Sequence, residues 1–222
     1  MKLLSALYFS LIITSVAFAD SESQLVINLK AGKKQTVVTY GTSLTAGGAW
    51  VANLQKALNE KFPTLATVIN SGQGSKWSSW GVENLDSRVI SKNPDTVLIE
   101  FGINDAFLDY NTSVEQALSN LETMIDRIKT SNQNAEVILM TMNSPIGVHL
   151  ARRPKFLDYY QMYRDLAKER GLLLIDNYVN WARVMEDQTI FNQYVPDGIH
   201  PSKEGSSIVT TPEIHKSLGL EK

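Results

Sequence analysis

Residues 35–45 read QTVVTYGTSLT, a strand-like run that leads into a turn containing a serine. The β-branched and aromatic residues at 35–40 predict a strand, and apolar residues at helical spacing after residue 48 predict a helix. The glycine between the two permits a tight turn. Open sheets of parallel strands bind ligands at the carboxyl ends of their strands, so Ser43 is the first candidate for a functional residue.

The same alternation of strand and helix continues along the chain. Short apolar runs at residues 65–69, 96–101, 136–142 and 172–175 predict four more strands, each followed by a segment with helical spacing. We therefore predict an α/β fold, a three-layer α/β/α sandwich around a central parallel sheet of about five strands. A β-like run at residues 25–29 predicts one added N-terminal strand.

Residues 1–19 have the pattern of a secretory signal peptide. Lys2 supplies a positive charge, residues 3–16 are uncharged and mostly apolar, and residues 17–19 read AFA, an A-x-A cleavage site. The apolar run is short for a membrane span, so we favour cleavage over an uncleaved anchor. We expect residues 20–222 to form a single domain, secreted to the periplasm or the extracellular space, with no stable membrane insertion after cleavage.

The composition narrows the kinds of partner and site. The 222 residues include 21 Lys and Arg against 23 Asp and Glu, which gives no basic field for nucleic acid. The lack of cysteine excludes disulfides, thiolate metal sites and a cysteine nucleophile. The three histidines, His149, His200 and His215, form no helical metal-binding pair, so no metal site is predicted. The oligomeric state is left open.

Residues near the predicted strand ends fit an acyl-transfer reaction. Ser43 suits a nucleophile, His200 a general base and Asp197 the carboxylate that orients the base. In a parallel sheet the loops after the strands lie at one edge, so these side chains can converge.

The negative charge that develops during acyl transfer needs hydrogen-bond donors. The backbone N–H of Ser43, a backbone N–H at Gly74 or Ser75, and the Asn104 side-chain amide are the candidates for this oxyanion hole.

Three short blocks in this order resemble the SGNH hydrolases, also called GDSL-type esterases and lipases. They are GTSL at residues 41–44, GIND at 102–105 and DGIH at 197–200. The resemblance spans about residues 36–205. It implies an SGNH, flavodoxin-like fold, a serine esterase that works through an acyl-enzyme, and neither a metal nor an organic cofactor.

The sequence departs from the family pattern at two positions. Thr42 stands where aspartate is usual, and Ser75 stands where the second block, N-x-G-x-x-G, usually ends in glycine. If this last position requires a positive φ, Ser75 is strained or Gly74 takes over the role of donor.

Two aromatic residues near the predicted site bear on the choice of substrate. Trp77 and Trp80 follow the predicted oxyanion loop, where they could form an aromatic wall for a sugar ring or cover the edge of the core. We favour a small-molecule or polysaccharide ester and the removal of short acyl groups, such as acetyl, from carbohydrate. The alternatives are a lipase, lysophospholipase or thioesterase of the same family, and a non-catalytic carbohydrate-binding protein on the same fold.

A pair of adjacent arginines and one aspartate near the predicted site are interpreted as structural. Arg152 and Arg153 are predicted to be solvated, with binding of a carboxylate or sulfate on an anionic polymer as the alternative. Asp105 is predicted to brace its loop by hydrogen bonds from its side chain to the backbone, with contact with substrate as the alternative.

Overall fold

Five strands form one parallel sheet in the computed structural model, which describes residues 22–221. The strands are β1 (Gln35–Gly41), β2 (Ala66–Asn70), β3 (Thr96–Glu100), β4 (Glu136–Thr141) and β5 (Leu173–Asp176). Their order in the sheet is β2-β1-β3-β4-β5. The predicted parallel sheet of about five strands is therefore confirmed.

Helices of very different length precede, connect and follow the strands. They are α1 (Gln24–Lys30), α2 (Ser43–Ala46), α3 (Ala49–Lys61), α4 (Ser78–Arg88), α5 (Gly102–Asp105), α6 (Val114–Ser131), α7 (Gly147–Ala151), α8 (Phe156–Arg170), α9 (Asn177–Val184), α10 (Gln188–Tyr194), α11 (Lys203–Gly205) and α12 (Thr211–Leu218). Short 3₁₀ turns lie at Ile90–Lys92 and Leu108–Tyr110, and a π-helical turn at Ser206–Thr210 joins α11 to α12.

The long helices form two groups around the sheet. In one group α4 packs on α6 and α6 on α8; in the other, α3 and α9 both pack on α12. Every residue of β3 is buried. A strand that is covered on both faces needs apolar side chains on both, which explains the nearly continuous apolar run in its sequence.

The order of the strands reverses at β1, which pairs with β2 on one side and with β3 on the other. Loops that leave β1 and β3 at their carboxyl ends therefore run in opposite directions and open a crevice between them. Ser43 follows β1 and Asn104 follows β3, so both candidate residues lie at this switch point.

The predicted N-terminal strand at residues 25–29 is wrong, because this segment is the helix α1. The Ser23 side chain caps it by accepting a hydrogen bond from the Val26 N–H. The Glu136 carboxylate accepts from the N–H groups of Gln24 and Leu25, at 2.9 Å each. Acceptors for the first-turn N–H groups, and the burial of one face, outweigh the β-propensity of the apolar residues.

The predicted signal peptide, residues 1–19, lies outside the described residues. Within residues 22–221, none of the helices has the length and apolar character that a membrane span requires.

Candidate active site

The turn after β1 presents Ser43 as the first residue of α2. Gly41 is required there, because a Cβ on it would lie 2.4 Å from the Glu100 carbonyl oxygen and 2.5 Å from Thr45 Oγ1. Thr42 then caps α2, its Oγ1 accepting a hydrogen bond from the Leu44 N–H at 3.1 Å. Threonine can fill the position where the family usually has aspartate, because its hydroxyl accepts in the same way as a carboxylate oxygen.

A line of hydrogen bonds joins Ser43 to the loop before α11. His200 Nε2 lies 2.9 Å from Ser43 Oγ, and His200 Nδ1 lies 2.6 Å from Asp197 Oδ2. Ser43 and His200 are 157 positions apart in the sequence. The structure thus brings together the three side chains predicted as nucleophile, base and orienting carboxylate, in the order that acyl transfer needs.

The Asp197 carboxylate is held in its ionised form. Its other oxygen, Oδ1, accepts hydrogen bonds from the N–H groups of Ile199 and His200, at 3.0 and 2.7 Å. Partial burial tends to raise the pKa of Asp197, but these bonds and the His200 imidazole outweigh it and lower the pKa below its usual value. An ionised carboxylate is what an imidazole needs in order to accept a proton from serine.

The oxyanion loop, residues 70–76, runs beside Ser43. A Cβ on Gly74 would lie 4.0 Å from the Ser43 Cβ, so the Gly74 backbone passes along the serine side chain. Ser75 has φ of +57°, the left-handed conformation that glycine adopts at little cost. Within residues 22–221 the N–H groups of Ser43, Gly74 and Ser75 donate no hydrogen bond. Each is thus available to an oxyanion, and both alternatives at 74 and 75 stay predictions.

Asn104 is buried and tied to the same loop. Its Nδ2 donates to the Lys76 carbonyl oxygen at 2.9 Å. Its Oδ1 accepts from Arg153 Nη2 at 3.2 Å. The amide therefore links the loop after β3 to the oxyanion loop and to a residue from the segment that follows β4.

The prediction of a solvated Arg153 is wrong, whereas its neighbour Arg152 is on the surface. Only 6% of Arg153 is exposed, and the side chain of Arg152 is 48% exposed and ion-paired with Asp109. Adjacent arginines give the same sequence signal. The turn that ends α7 points one of them inward and leaves the other in water.

Two buried carboxyl groups lie beneath these loops. Burial raises the pKa of Glu100 to about 8, against hydrogen bonds from Thr42 and Thr45 that lower it. Burial also raises the pKa of Asp105 to about 7, against hydrogen bonds from Ser78. The Asp105 Oδ1 accepts from the Ser78 N–H at 2.8 Å, which confirms its predicted role as a brace for the loops.

The two tryptophans occupy different environments. Trp80 packs against the core beside Tyr40, with ring centroids 5.9 Å apart, and the Arg88 guanidinium lies over its ring. Trp77 stacks on Tyr110 with centroids 4.3 Å apart. They do not form one wall, and contact of either with substrate stays a prediction.

A cavity of about 350 Å³ opens beside Ser43 and His200. Its lining is largely apolar and includes Leu44, Ala46, Trp50, Met142, Pro201 and Ser206. The cavity was not predicted from the sequence, because its walls come from four separate stretches of the chain: residues 43–50, 142, 200–201 and 206.

The residues of the site do not form a metal centre. Among residues 22–221, no three His, Asp or Glu side chains are grouped so that they could hold a metal ion. His149 lies on α7 and His215 on α12, and neither takes part in the hydrogen bonds that join Asp197, His200 and Ser43. That the reaction uses neither metal nor organic cofactor stays a prediction.

Curated relatives of the chain are hydrolases. It is 26% identical over 192 residues to thioesterase 1/protease 1/lysophospholipase L1 of Escherichia coli. The aligned residues make up 83% of this chain and 84% of that protein. It is 28% identical over 176 residues to an arylesterase of Vibrio mimicus, and the aligned residues make up 77% of this chain and 82% of that protein.

Among solved structures, an acetylxylan esterase from Geobacillus stearothermophilus superimposes with a TM-score of 0.73 at 20% identity. The match covers 84% of this chain and 95% of that one, and it shows that the two share a fold. The model of the GDSL-like lipase/acylhydrolase family matches residues 38–208. This chain therefore belongs to the GDSL-like lipase/acylhydrolase family and is an ester-bond hydrolase.

Proposed function

We propose that Ser43, His200 and Asp197 hydrolyse a carboxylic ester through a covalent acyl-enzyme. The observation that carries this proposal is the unbroken line of hydrogen bonds from Asp197 through His200 to Ser43, at 2.6 and 2.9 Å. Serine is a weak nucleophile unless a base within hydrogen-bond reach takes its proton, and here the base is in place.

The reaction follows from this geometry in two halves. Ser43 Oγ attacks the ester carbonyl carbon while His200 Nε2 takes the serine proton. The resulting imidazolium is stabilised by Asp197 and returns the proton to the departing alcohol oxygen. A water molecule then attacks the acyl-enzyme, again losing its proton to His200, and the acid leaves as Ser43 recovers its hydrogen.

The tetrahedral intermediates of both halves carry an oxyanion. The donors proposed for it are the Ser43 N–H, the N–H of Gly74 or Ser75, and Nδ2 of Asn104, whose other N–H is bonded to Lys76. Loss of one such donor typically costs about 10² to 10³ in kcat.

The preferred substrates are short acyl groups, such as acetyl, on carbohydrate. The support is the aromatic pair of Trp77 and Tyr110 next to the oxyanion loop, which the Tyr110 hydroxyl joins by donating to the Ser75 carbonyl oxygen at 3.0 Å. Trp77 is half-buried, and an indole next to the oxyanion loop suits stacking against a sugar ring.

The cavity favours a second candidate, the hydrolysis of esters with longer acyl chains. Its volume of about 350 Å³ falls in the range of pockets for whole small ligands, roughly 300–1,000 Å³, and exceeds the needs of an acetyl group. Its apolar lining would gain about 0.8 kcal/mol for each CH₂ of an acyl chain that it removes from water.

Secretion belongs to the same proposal. It is supported by the charged, apolar and A-x-A regions at residues 1–19. Expression of the full chain with a C-terminal tag, followed by N-terminal sequencing of the product, should give Asp20 as the first residue. A product that starts at Met1 would contradict cleavage.

The decisive experiment compares three forms of the protein on 4-nitrophenyl esters with two to twelve carbons and on acetylated xylan. The forms are wild type, Ser43→Ala, and Ser207→Ala as a matched control, since Ser207 is exposed and its hydroxyl bonds to the Lys203 carbonyl oxygen and the Asn53 side chain. We expect Ser43→Ala to lose activity and Ser207→Ala to keep it. A preference for acetyl esters and xylan supports the carbohydrate substrate, and faster turnover of longer chains supports the second candidate.

Labelling with an organophosphate separates enzyme from binding protein. Labelled Ser43 without turnover of any ester tested would retain the hydrolase and reject these substrates. Folded wild-type protein that neither turns over esters nor takes the label would reject the mechanism and leave a non-catalytic carbohydrate-binding protein.

A further inference from the structure

We propose that Arg153 is a positioning residue for this reaction: its guanidinium fixes the Asn104 amide and polarises it as a donor to the oxyanion. The inference rests on the proposed function, because it assigns Asn104 to the oxyanion hole.

Arg153 is bonded through all three of its nitrogen atoms. Nε donates to the Ile103 carbonyl oxygen at 2.8 Å, Nη1 to the His149 carbonyl oxygen at 3.3 Å, and Nη2 to Asn104 Oδ1 at 3.2 Å. The guanidinium carbon lies 4.5 Å from the centroid of the Phe107 ring. These contacts hold a planar group in one orientation, which a lysine ammonium could not reproduce.

The charge of Arg153 is not cancelled by a nearby carboxylate. Within residues 22–221, no Asp or Glu oxygen forms an ion pair with it. The buried carboxyl groups of the site, Glu100 and Asp105, have pKa values raised toward the neutral form. Burial of an unpaired cation costs free energy, and packing alone would be served as well by an apolar side chain. The charge is therefore retained for its effect on the groups that accept from the guanidinium. Two of these are backbone carbonyl oxygens, and the side-chain acceptor is Asn104 Oδ1.

The two partners of the Asn104 amide have opposite hydrogen-bonding character. A guanidinium can only donate and the Lys76 carbonyl oxygen can only accept. Oδ1 must therefore face Arg153, and Nδ2 must face the oxyanion loop. This arrangement excludes the flipped amide and leaves the second N–H of Nδ2 for the substrate.

The same segment also contacts the other half of the site. The Ile146 N–H donates to the Gly198 carbonyl oxygen at 2.8 Å, and Asn143 Nδ2 donates to the Ile199 carbonyl oxygen at 2.9 Å. The connection from β4 to α8 is thus bonded both to the loop of Asp197 and His200 and, through Arg153, to Asn104. It aligns the proton-transfer groups with the oxyanion donors.

Polarisation should make the contribution of Arg153 specific to the transition state. A hydrogen bond from a charged donor is about twice as strong as one between neutral groups, and it draws electrons from the amide that it binds. The Asn104 N–H then donates more strongly to an oxyanion than to a neutral carbonyl. Such an effect lowers kcat when it is lost and leaves KM nearly unchanged.

A double-mutant cycle tests the inference. The proteins are wild type, Arg153→Met, Asn104→Ala and the double variant, assayed for kcat and KM on 4-nitrophenyl acetate. We expect Arg153→Met to lower kcat about tenfold or more, with KM within about twofold. In the Asn104→Ala background it should change kcat less than about twofold, because the amide on which it acts is gone. The matched control is Arg152→Met. Arg152 is the exposed neighbour of Arg153, and its substitution should change kcat little.

Equal factors for Arg153→Met in both backgrounds would overturn the inference, since a purely structural role acts without regard to Asn104. No fall in kcat in the wild-type background would overturn it too. Ser43→Ala, assayed in parallel, separates this from failure of the proposed function: if that variant stays active, the serine mechanism itself is rejected.

Arg153→Lys keeps the test decisive if Arg153→Met fails to fold. It retains the charge and loses the planar fork, so we expect a smaller fall in kcat, about three- to tenfold, that again disappears in the Asn104→Ala background. A fall that persists in that background would contradict the inference. Thermal denaturation and organophosphate labelling of Ser43 verify the fold of each variant.

Discussion

Two carboxyl groups serve Ser43 in opposite ways, and they lie in opposite surroundings. Asp197 belongs to an exposed loop, and the side chain is 52% exposed. Glu100 lies beneath the serine turn and is 2% exposed. Hydrogen bonds lower the pKa of Asp197, whereas burial raises that of Glu100 to about 8. At neutral pH the first is an anion ready for an imidazolium, and the second is mainly a neutral acid.

The difference lies in the donors that each carboxyl meets and in the water that each retains. Asp197 accepts from two backbone N–H groups and an imidazole within three residues of itself. Glu100 accepts from Thr42 and Thr45 but has lost its hydration. A neutral acid under the serine adds no negative charge near a developing oxyanion, whereas the anion at Asp197 stabilises the imidazolium.

The largest expected effect comes from Asp197→Asn, which removes the anion but preserves the shape. The new amide presents an N–H₂ group to His200 Nδ1 or forces the imidazole into the other tautomer, so Nε2 can no longer take the serine proton. We expect kcat to fall by about 10³ to 10⁴. Steady-state kinetics on 4-nitrophenyl acetate measure it.

Asp187→Asn is the matched control, because Asp187 also accepts backbone N–H groups, those of Thr189 and Ile190, at the start of α10. It should retain activity. Activity of Asp197→Asn within tenfold of wild type would show that the Asp197 anion is not needed.

Gly41→Ala acts on the floor of the serine turn, and its expected effect is intermediate. The added methyl group would lie 2.4 Å from the Glu100 carbonyl oxygen, a backbone atom that cannot move aside alone. We expect the free energy of unfolding to fall by about 1–3 kcal/mol, with a loss of activity because Ser43 is displaced. Urea denaturation measures the stability.

Gly47→Ala provides the comparison for stability. Its added Cβ would lie 3.5 Å from the Ser43 carbonyl oxygen, which is ordinary van der Waals contact. Its unfolding free energy should differ little from that of wild type. Equal losses in the two variants would contradict the close packing of Gly41 against β3.

Glu100→Gln should have the smallest effect at a single pH and should change the pH dependence instead. The raised pKa means that, between about 4.5 and 8, folded Glu100 holds a proton that the unfolded chain releases. The stability that this group contributes is therefore complete below pH 4.5 and declines as pH rises toward 8, by at most about 1.4 kcal/mol per unit.

The glutamine variant should lose that part of the slope between pH 5 and 8, as measured by urea denaturation across the range. Asp105, with a pKa raised to about 7, contributes a slope of the same sign that the substitution leaves in place. Identical slopes for wild type and Glu100→Gln would show that Glu100 is ionised in the folded protein.

Elements with strong local signals were predicted correctly from the sequence. The run that forms β3 carries its signal in adjacent residues, because a strand buried on both faces is apolar along nearly its whole length. The strand predicted at residues 25–29 was wrong because Glu136, which joins the local Ser23 cap in accepting from the first turn of α1, lies 111 residues away. Local propensity cannot contain an acceptor so far away in the chain.

The residues of the predicted site also divide into those with a signal in the local sequence and those without one. Ser43, Asn104, Asp197 and His200 stood out because their types and order suit one reaction and their loops follow parallel strands. Arg153 did not stand out, because two adjacent arginines look alike until one of them is buried. The apolar cavity had no signal either, since its walls are assembled from several segments.

The sequence by itself determined the α/β fold, the parallel sheet and the residue types that acyl transfer requires, because periodicity and loop chemistry are local properties. Only the tertiary structure decided which carboxyl is ionised, which arginine is buried, and where a substrate can be held. Those properties depend on burial and on partners far apart in the chain, and both arise only when the strands are packed together.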